Sequence, residues 1–212
     1  MMEKIADDIY AFIWHIYREN NCNTYLLDRD GYRILIDPGY YHLSQHWEEG
    51  LHKRGLSRRD INLVVVTHAH PDHLEGVALF DGQSKVAIGE GEYTWLKKWA
   101  PSFEVDLLLR DGELKVGNIA LKVIETPGHS PASICLYYPE RKALFTGDVI
   151  FRAGLGRTDL PGGDGGKLKE SIRKLSHLDV EYLLPGHGEP VIGKKEVAKN
   201  FEEVAHYWFQ FI

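Results

Sequence analysis

Residues 63–76 read LVVVTHAHPDHLEG, an apolar run that ends in three histidines and an aspartate within six positions. An extended chain points residues two apart to the same side, so His68 and His70 can converge on one ion at the end of a buried strand. Pro71 stops the extension, and Asp72 and His73 stand where a helix would begin, turning back toward the same space. One strand-to-helix corner therefore delivers four donors of the kinds that hold zinc. Read without a metal, Asp72 would cap the helix and Glu75, three residues on, would complete a capping box. A cap needs no histidines, whereas imidazoles with a carboxylate companion form a usual metal donor set.

The length of 212 residues suits one domain, residues 1–212, with a sizeable core. A formal charge of −6, with no run of Lys or Arg longer than two, speaks against nucleic acid and anionic membranes as partners and for a small-molecule substrate. Cys22 and Cys135 lie in or beside apolar segments and read as reduced, buried thiols. The start, MMEKIADDIYAF, has acids where a signal peptide needs a basic beginning, and no stretch is apolar enough to span a bilayer. These features predict a cytoplasmic protein with no membrane association. The tail AHYWFQFI is so apolar that it should be covered, by its own domain or by a second subunit in a homo-oligomer.

Periodicity and turn residues predict strands over 5–14, 23–27 and 32–36, with a polar link at 17–21 and a DRDG hairpin turn at 28–31. A helix over 41–54 follows, carried by Leu43, Trp47 and Leu51. The strand 62–66, a short helix near 74–80, a strand at 85–88 and a helix at 90–99 come next. Two or three strands fill 105–126, then strands at 133–138, 143–146 and 182–184 flank a helix at 167–177, and a last helix covers 194–212. The order repeats itself. A strand ends at Asp37, a helix follows, and the next strand ends at His68; later a strand ends at Asp148, a helix follows, and a strand ends at His187. Two βαβ-type halves would each place an acid and a histidine at carboxyl ends of strands, where α/β sheets open their ligand crevice.

Three further candidates stand at strand ends beside glycine: His129 in TPGHSP, Asp148 in LFTGDVI and His187 in LLPGHGE. Glycine there lets backbone come close to a ligand. With the corner they make five histidines and two aspartates, enough for two ions that share Asp148.

HAHPDH, TPGHS, TGD and PGHG together resemble the metallo-β-lactamase-fold superfamily over most of the chain. The resemblance implies an α/β fold, an αββα sandwich in which two sheets pack face to face between outer helices. It implies His68, His70 and His129 on a first metal, Asp72, His73 and His187 on a second, and Asp148 as the bridge. Asp37 would support the histidine loop from behind. Two divalent ions are expected, with zinc first and iron or manganese as alternatives. Zinc β-lactamases of this superfamily generally carry a cysteine in the region of Asp148, which disfavours antibiotic hydrolysis. GLGRTDLPGGDGGKLKESIRKL, residues 154–175, is instead similar to small hydroxyacylglutathione-hydrolase-like (glyoxalase II-like) proteins, and its GRTD also to persulfide dioxygenases.

The resulting expectation is hydrolysis of a thioester by a hydroxide bridging two metals, with Asp72 orienting the nucleophile and a thiolate as leaving group. The rivals are a mononuclear iron persulfide dioxygenase, a phosphodiesterase and a non-catalytic metal-binding protein. Other apparent motifs carry less. His42 and His46 stand four apart on the first predicted helix, but HExxH is absent and a solvated face is expected. GGDGGK is no phosphate loop, since Pro161 and Leu168 stand where glycine and Ser or Thr are required. Asp164 should cap the helix after it, and Arg157 or the loop amides could meet a substrate carboxylate.

Overall fold

The computed structural model describes residues 2–16, 18–80, 82 and 84–212. A first sheet runs in the order β1 (Met2–Ala6), β2 (Ile9–Phe12), β3 (Thr24–Arg29), β4 (Tyr32–Ile36), β5 (Leu63–Val66), β6 (Lys85–Gly89), β7 (Leu107–Leu109). The second contains β8 (Gly112–Val116), β9 (Ile119–Glu125), β10 (Ile134–Tyr138) and β11 (Ala143–Gly147). A hairpin of β12 (Ile150–Phe151) and β13 (Gly154–Leu155) stands apart, and β14 (Tyr182–Pro185) and β15 (Val191–Ile192) complete the second sheet in the order β15-β14-β11-β10-β9-β8. The helices are α1 (Gln45–Lys53), α2 (Pro71–Leu74), α3 (Glu90–Leu96), α4 (Gly165–Ser176) and α5 (Lys194–Trp208).

Alternation along the strands builds the layers, because successive side chains leave a strand on opposite faces. Ile34 and Ile36 of β4 and Val65 of β5 point inward, where they join Leu136 of β10 and Phe145 of β11 in a core between the sheets. Leu35, Val64 and Val66 point the other way, against Trp47 and Leu51 of α1 and Leu96 of α3. On the far side Cys135, Leu144 and Leu183 meet Leu168 and Ile172 of α4 and Phe201 and Val204 of α5. The result is the αββα sandwich. No helix among the described residues is long and apolar enough to cross a membrane.

Differences from the sequence reading fall at ends and turns. The strand expected over 5–14 is broken at Asp7-Asp8 into the antiparallel pair β1 and β2. The first helix opens with a 3-10 turn, Tyr41–Leu43, before α1, and the last helix ends at Trp208 with a 3-10 turn, Phe209–Phe211. Three two-residue strands, β12, β13 and β15, carry too few side chains to show a period. Tyr17, in the expected polar link, lies outside the described residues. The apolar tail docks partly on its own domain: Phe209 and Ile212 pack on the outer core and Trp208 Nε1 donates to Ala153 O at 2.8 Å. Tyr207 and Phe211 stay exposed.

Two strand pairs place the site. β4 and β5 run parallel in the first sheet, as do β11 and β14 in the second, so their carboxyl ends carry Asp37, His68, Asp148 and His187. The ends are tied across the sheets by Tyr25 Oη, which donates to Pro185 O at 2.7 Å, and by Asn23 Nδ2, which donates to Pro185 O and Gly188 O. Trp47 is fully buried and donates its indole N–H to Pro38 O at 2.8 Å, which pins the turn after Asp37 to α1.

Candidate metal centre

The buried strand β5 ends at Val66, and the next residue, Thr67, is held by Asp37. Thr67 N–H donates to Asp37 Oδ1 at 2.7 Å and its hydroxyl donates to Oδ2 at 2.8 Å. With that hydroxyl proton committed, Thr67 Oγ1 can accept from His68 Nδ1, 3.1 Å away. His68 therefore presents Nε2 as a lone pair. That atom is buried and has no hydrogen-bond partner among the described residues.

The same logic orients two more rings, since a histidine that donates from one nitrogen offers the other to a ligand. His73 Nδ1 donates to Asp37 Oδ2 at 2.9 Å, and His129 Nδ1 donates to the carbonyl of Arg157 at 2.7 Å. His129 Nε2 then lies 2.9 Å from His70 Nδ1, while His187 Nε2 lies 3.3 Å from one carboxylate oxygen each of Asp72 and Asp148. Asp72 does not cap α2: the cap position is His70, Pro71 takes the first helical place, and no side chain caps the end. Its carboxylate instead accepts from Asn20 Nδ2 at 2.7 Å.

Donor atoms of His68, His70 and His129 all lie within 4.8 Å of one another, as do those of Asp72, His73 and His187. Asp148 makes a third such group with His68 and His73, which puts it between the two triads. Its Oδ1 is buried and makes no hydrogen bond among the described residues, although His73 Nε2 is 3.3 Å away. Glycine makes this crowding feasible: a Cβ on Gly186 would be driven into Asp148 Oδ1 and would sit 2.7 Å from His73 Cε1.

The electrostatics call for cations. Burial, then the neighbouring imidazoles, pushes His68 well below its ordinary value, and burial with His129 takes His70 to about 4. These rings are neutral donors. Burial alone would raise Asp72, but its hydrogen bond with His187 outweighs that and takes it to about 2. Burial would likewise lower His187, yet Asp148 prevails and raises it to about 9; His73 is raised against burial by Asp148 and Asp37. In the metal-free chain, protons on His73 and His187 thus balance Asp148 and Asp72. Unpartnered Nε2 and carboxylate atoms, neutral imidazoles and ionised carboxylates fit a pair of divalent ions as first candidates for this place.

Glu92 of α3 escapes the sequence reading. It is fully buried and accepts from Ala69 N–H, Ser130 Oγ and Ala132 N–H, so it ties the loop of His68 and His70 to the loop of His129. Burial raises its pKa, although these three bonds pull the other way. In sequence it looks like an ordinary acid in a first helical turn; its only signal is the 3–4 spacing with Trp95 and Leu96 on the inner face. Asn20 left no signal at all.

Beside the donors opens a cavity of about 690 Å³, with walls that include Trp95, Phe151, Leu155, Leu160 and Pro161. Arg157 is on the same wall, but its guanidinium is bidentate with Asp159 at 2.7 and 2.6 Å and only its carbonyl turns to His129. Asp164 caps α4, accepting from Lys167 N–H at 3.0 Å. Of the two helix histidines, His42 is exposed as expected. His46 is not: it lies under Trp14, with ring centroids 5.2 Å apart, and its Nδ1 donates to Leu43 O.

The chain matches known proteins over most of its length. The family model of the metallo-beta-lactamase superfamily matches residues 17–187. Hydroxyacylglutathione hydrolase GloC of Haemophilus influenzae is 33% identical over 204 residues, which are 86% of this chain and 92% of that protein. The crystal structure of BLEG-1 B3 metallo-beta-lactamase superposes with a TM-score of 0.71 at 31% identity, over 84% of this chain and 92% of that one. A structure solved in a di-iron-bound form gives a TM-score of 0.70 at 28% identity, over 84% and 93%.

Proposed function

Because the chain belongs to the metallo-β-lactamase superfamily and is a metal-dependent hydrolase of that fold, we propose that it cleaves a thioester at two divalent ions, zinc first among them. The observation that carries this reading is the meeting of two donor triads at Asp148, beside an apolar-walled cavity. The likeness to the hydroxyacylglutathione hydrolase of H. influenzae supports the thioester. His68, His70 and His129 would hold one ion and Asp72, His73 and His187 the other, with Asp148 shared. When bound, the ions supply a Lewis acid for a carbonyl oxygen and a water acidic enough to act near neutral pH.

The chain's own groups do the rest. Asp72, fixed by Asn20 and ionised, orients the nucleophile through its carboxylate. Asp37 keeps His73 and, through Thr67, His68 in the tautomers that face the site. A thiolate leaving group needs no strong general acid, since a free thiol has a pKa of about 8.5. Trp95 and Phe151 shield the leaving arm from water, and Arg157 contributes the carbonyl that holds His129. Two free, buried thiols suit a cytoplasmic setting.

Elemental analysis with anaerobic assays tests this. The wild type should hold about two ions per chain and cleave a hydroxyacyl thioester without oxygen, and His187→Ala should lose metal and activity together. A chain that holds one iron, consumes oxygen with a persulfide and leaves thioesters intact would show the proposal to be wrong.

A further inference from the structure

The cavity wall says something about the thiol that carries the acyl group, and this step rests on the thioester reading above. Trp95 of α3, Phe151 and Leu155 of the β12–β13 hairpin, and Leu160 and Pro161 of the loop before α4 all line the cavity. The Phe151 ring stands edge-on to His187 at 5.9 Å, so the apolar wall begins at the donors themselves. Among the described residues of the wall, Arg157 is the one side chain with a fixed positive charge, and Asp159 already neutralises it through two hydrogen bonds. A carrier with two carboxylates, such as glutathione, would have to lie along this wall without a free cation, or compete with Asp159 for Arg157.

We infer that the site selects thioesters whose thiol arm is uncharged and apolar, seated against the apolar lining that includes Trp95 and Phe151. Each methylene taken out of water by such a wall is worth about fourfold in binding, whereas a carboxylate placed there loses hydration and gains no partner. Selectivity therefore comes from the arm, while the acyl carbonyl faces the donors.

The test uses two thioesters that share one hydroxyacyl group, carried by glutathione in one and by benzyl thiol in the other, with the metal-loaded wild type. The benzyl thioester should show a kcat/KM about tenfold or more higher; equal values, or a preference for glutathione, overturn the inference. The matching thioethers, which cannot be hydrolysed, are then titrated by calorimetry. The benzyl thioether should bind more tightly, and this holds or fails whether or not any thioester is cleaved, so it separates the arm from the reaction. Trp95→Ala should weaken the benzyl thioether about tenfold and leave the glutathione thioether unchanged, and Trp95→Phe should restore most of the loss. Unchanged benzyl binding in Trp95→Ala counts against the seat.

Discussion

Replacing Glu92 by glutamine asks whether the histidine loops are held from behind. The carboxylate accepts three hydrogen bonds, from Ala69 N–H at 3.0 Å on Oε1 and from Ser130 Oγ and Ala132 N–H at 2.9 and 3.1 Å on Oε2. Glutamine keeps the shape but turns one oxygen into an NH2 group. If that group faces Oε2's partners, Ser130 can rotate its hydroxyl and accept, but Ala132 N–H meets another donor. In the flipped amide, Ala69 N–H meets it instead. Either orientation strands one backbone donor, partly buried at Ala132 or buried at Ala69, at a cost of about 1–3 kcal/mol. In a chain of 212 residues each kcal/mol moves the melting midpoint by about 2–4 °C, so the middle of that range predicts a fall of about 4–8 °C.

A second readout is closer to function. Ala69 lies between His68 and His70, and Ser130 follows His129, so a shift of either loop disturbs donors that stand 2.9 Å apart. Loss of such a supporting group typically costs tenfold to about a hundredfold in metal affinity. Calorimetry of the metal-free protein and a chelator competition would measure the two effects. Glu92→Leu strands all three donors and should be worse on both. A Glu92→Gln protein that melts and binds metal like the wild type, or a leucine variant better than the glutamine one, would refute the reasoning.

Burial holds His46 at about 4 in the folded chain against about 6.5 when unfolded. As pH falls through that window the unfolded chain takes the proton first, so stability present above pH 6.5 is lost by up to about 3 kcal/mol; urea titrations should show a flatter acid limb for His46→Phe. Gly186→Ala should fold yet bind less metal, because the new Cβ would push Asp148 Oδ1 and the His73 ring out of place; elemental analysis decides it. Deleting residues 207–212 removes the Trp208 bond to Ala153 and the packing of Phe209 and Ile212, and should cost about 2 kcal/mol or more by denaturation. The mass in solution of the same variant tells whether Tyr207 and Phe211 also take part in a subunit contact.

The layers and the donor corner were legible because they are written locally. Alternation in Ile34, Leu35 and Ile36 decides which face is which, and His68, His70, Asp72 and His73 are neighbours along the chain. Glu92 was not legible, because its meaning lies in three partners from two distant loops, and nothing in EGEYTW marks an acid as buried. The break at Asp7-Asp8 was hidden by apolar residues on both sides of it. His46 was misread for a related reason: helical spacing told which side it leaves, while the cover comes from Trp14, a residue of another segment.

The repeat in the chain explains why two aspartates at matching places act differently. Asp37 follows β4 beside a parallel strand that continues into Thr67 and His68; Asp148 follows β11 beside one that continues into Gly186 and His187. The residue before the histidine is what differs. Thr67 offers an N–H and a hydroxyl, and both bind Asp37, which turns that carboxylate into a brace for His73 and His68. Gly186 offers no side chain, and Asp148 Oδ1 packs closer to it than a Cβ would allow. That oxygen has no hydrogen bond among the described residues and lies among the donors. A threonine in one half makes its acid structural, and a glycine in the other leaves its acid free for the site.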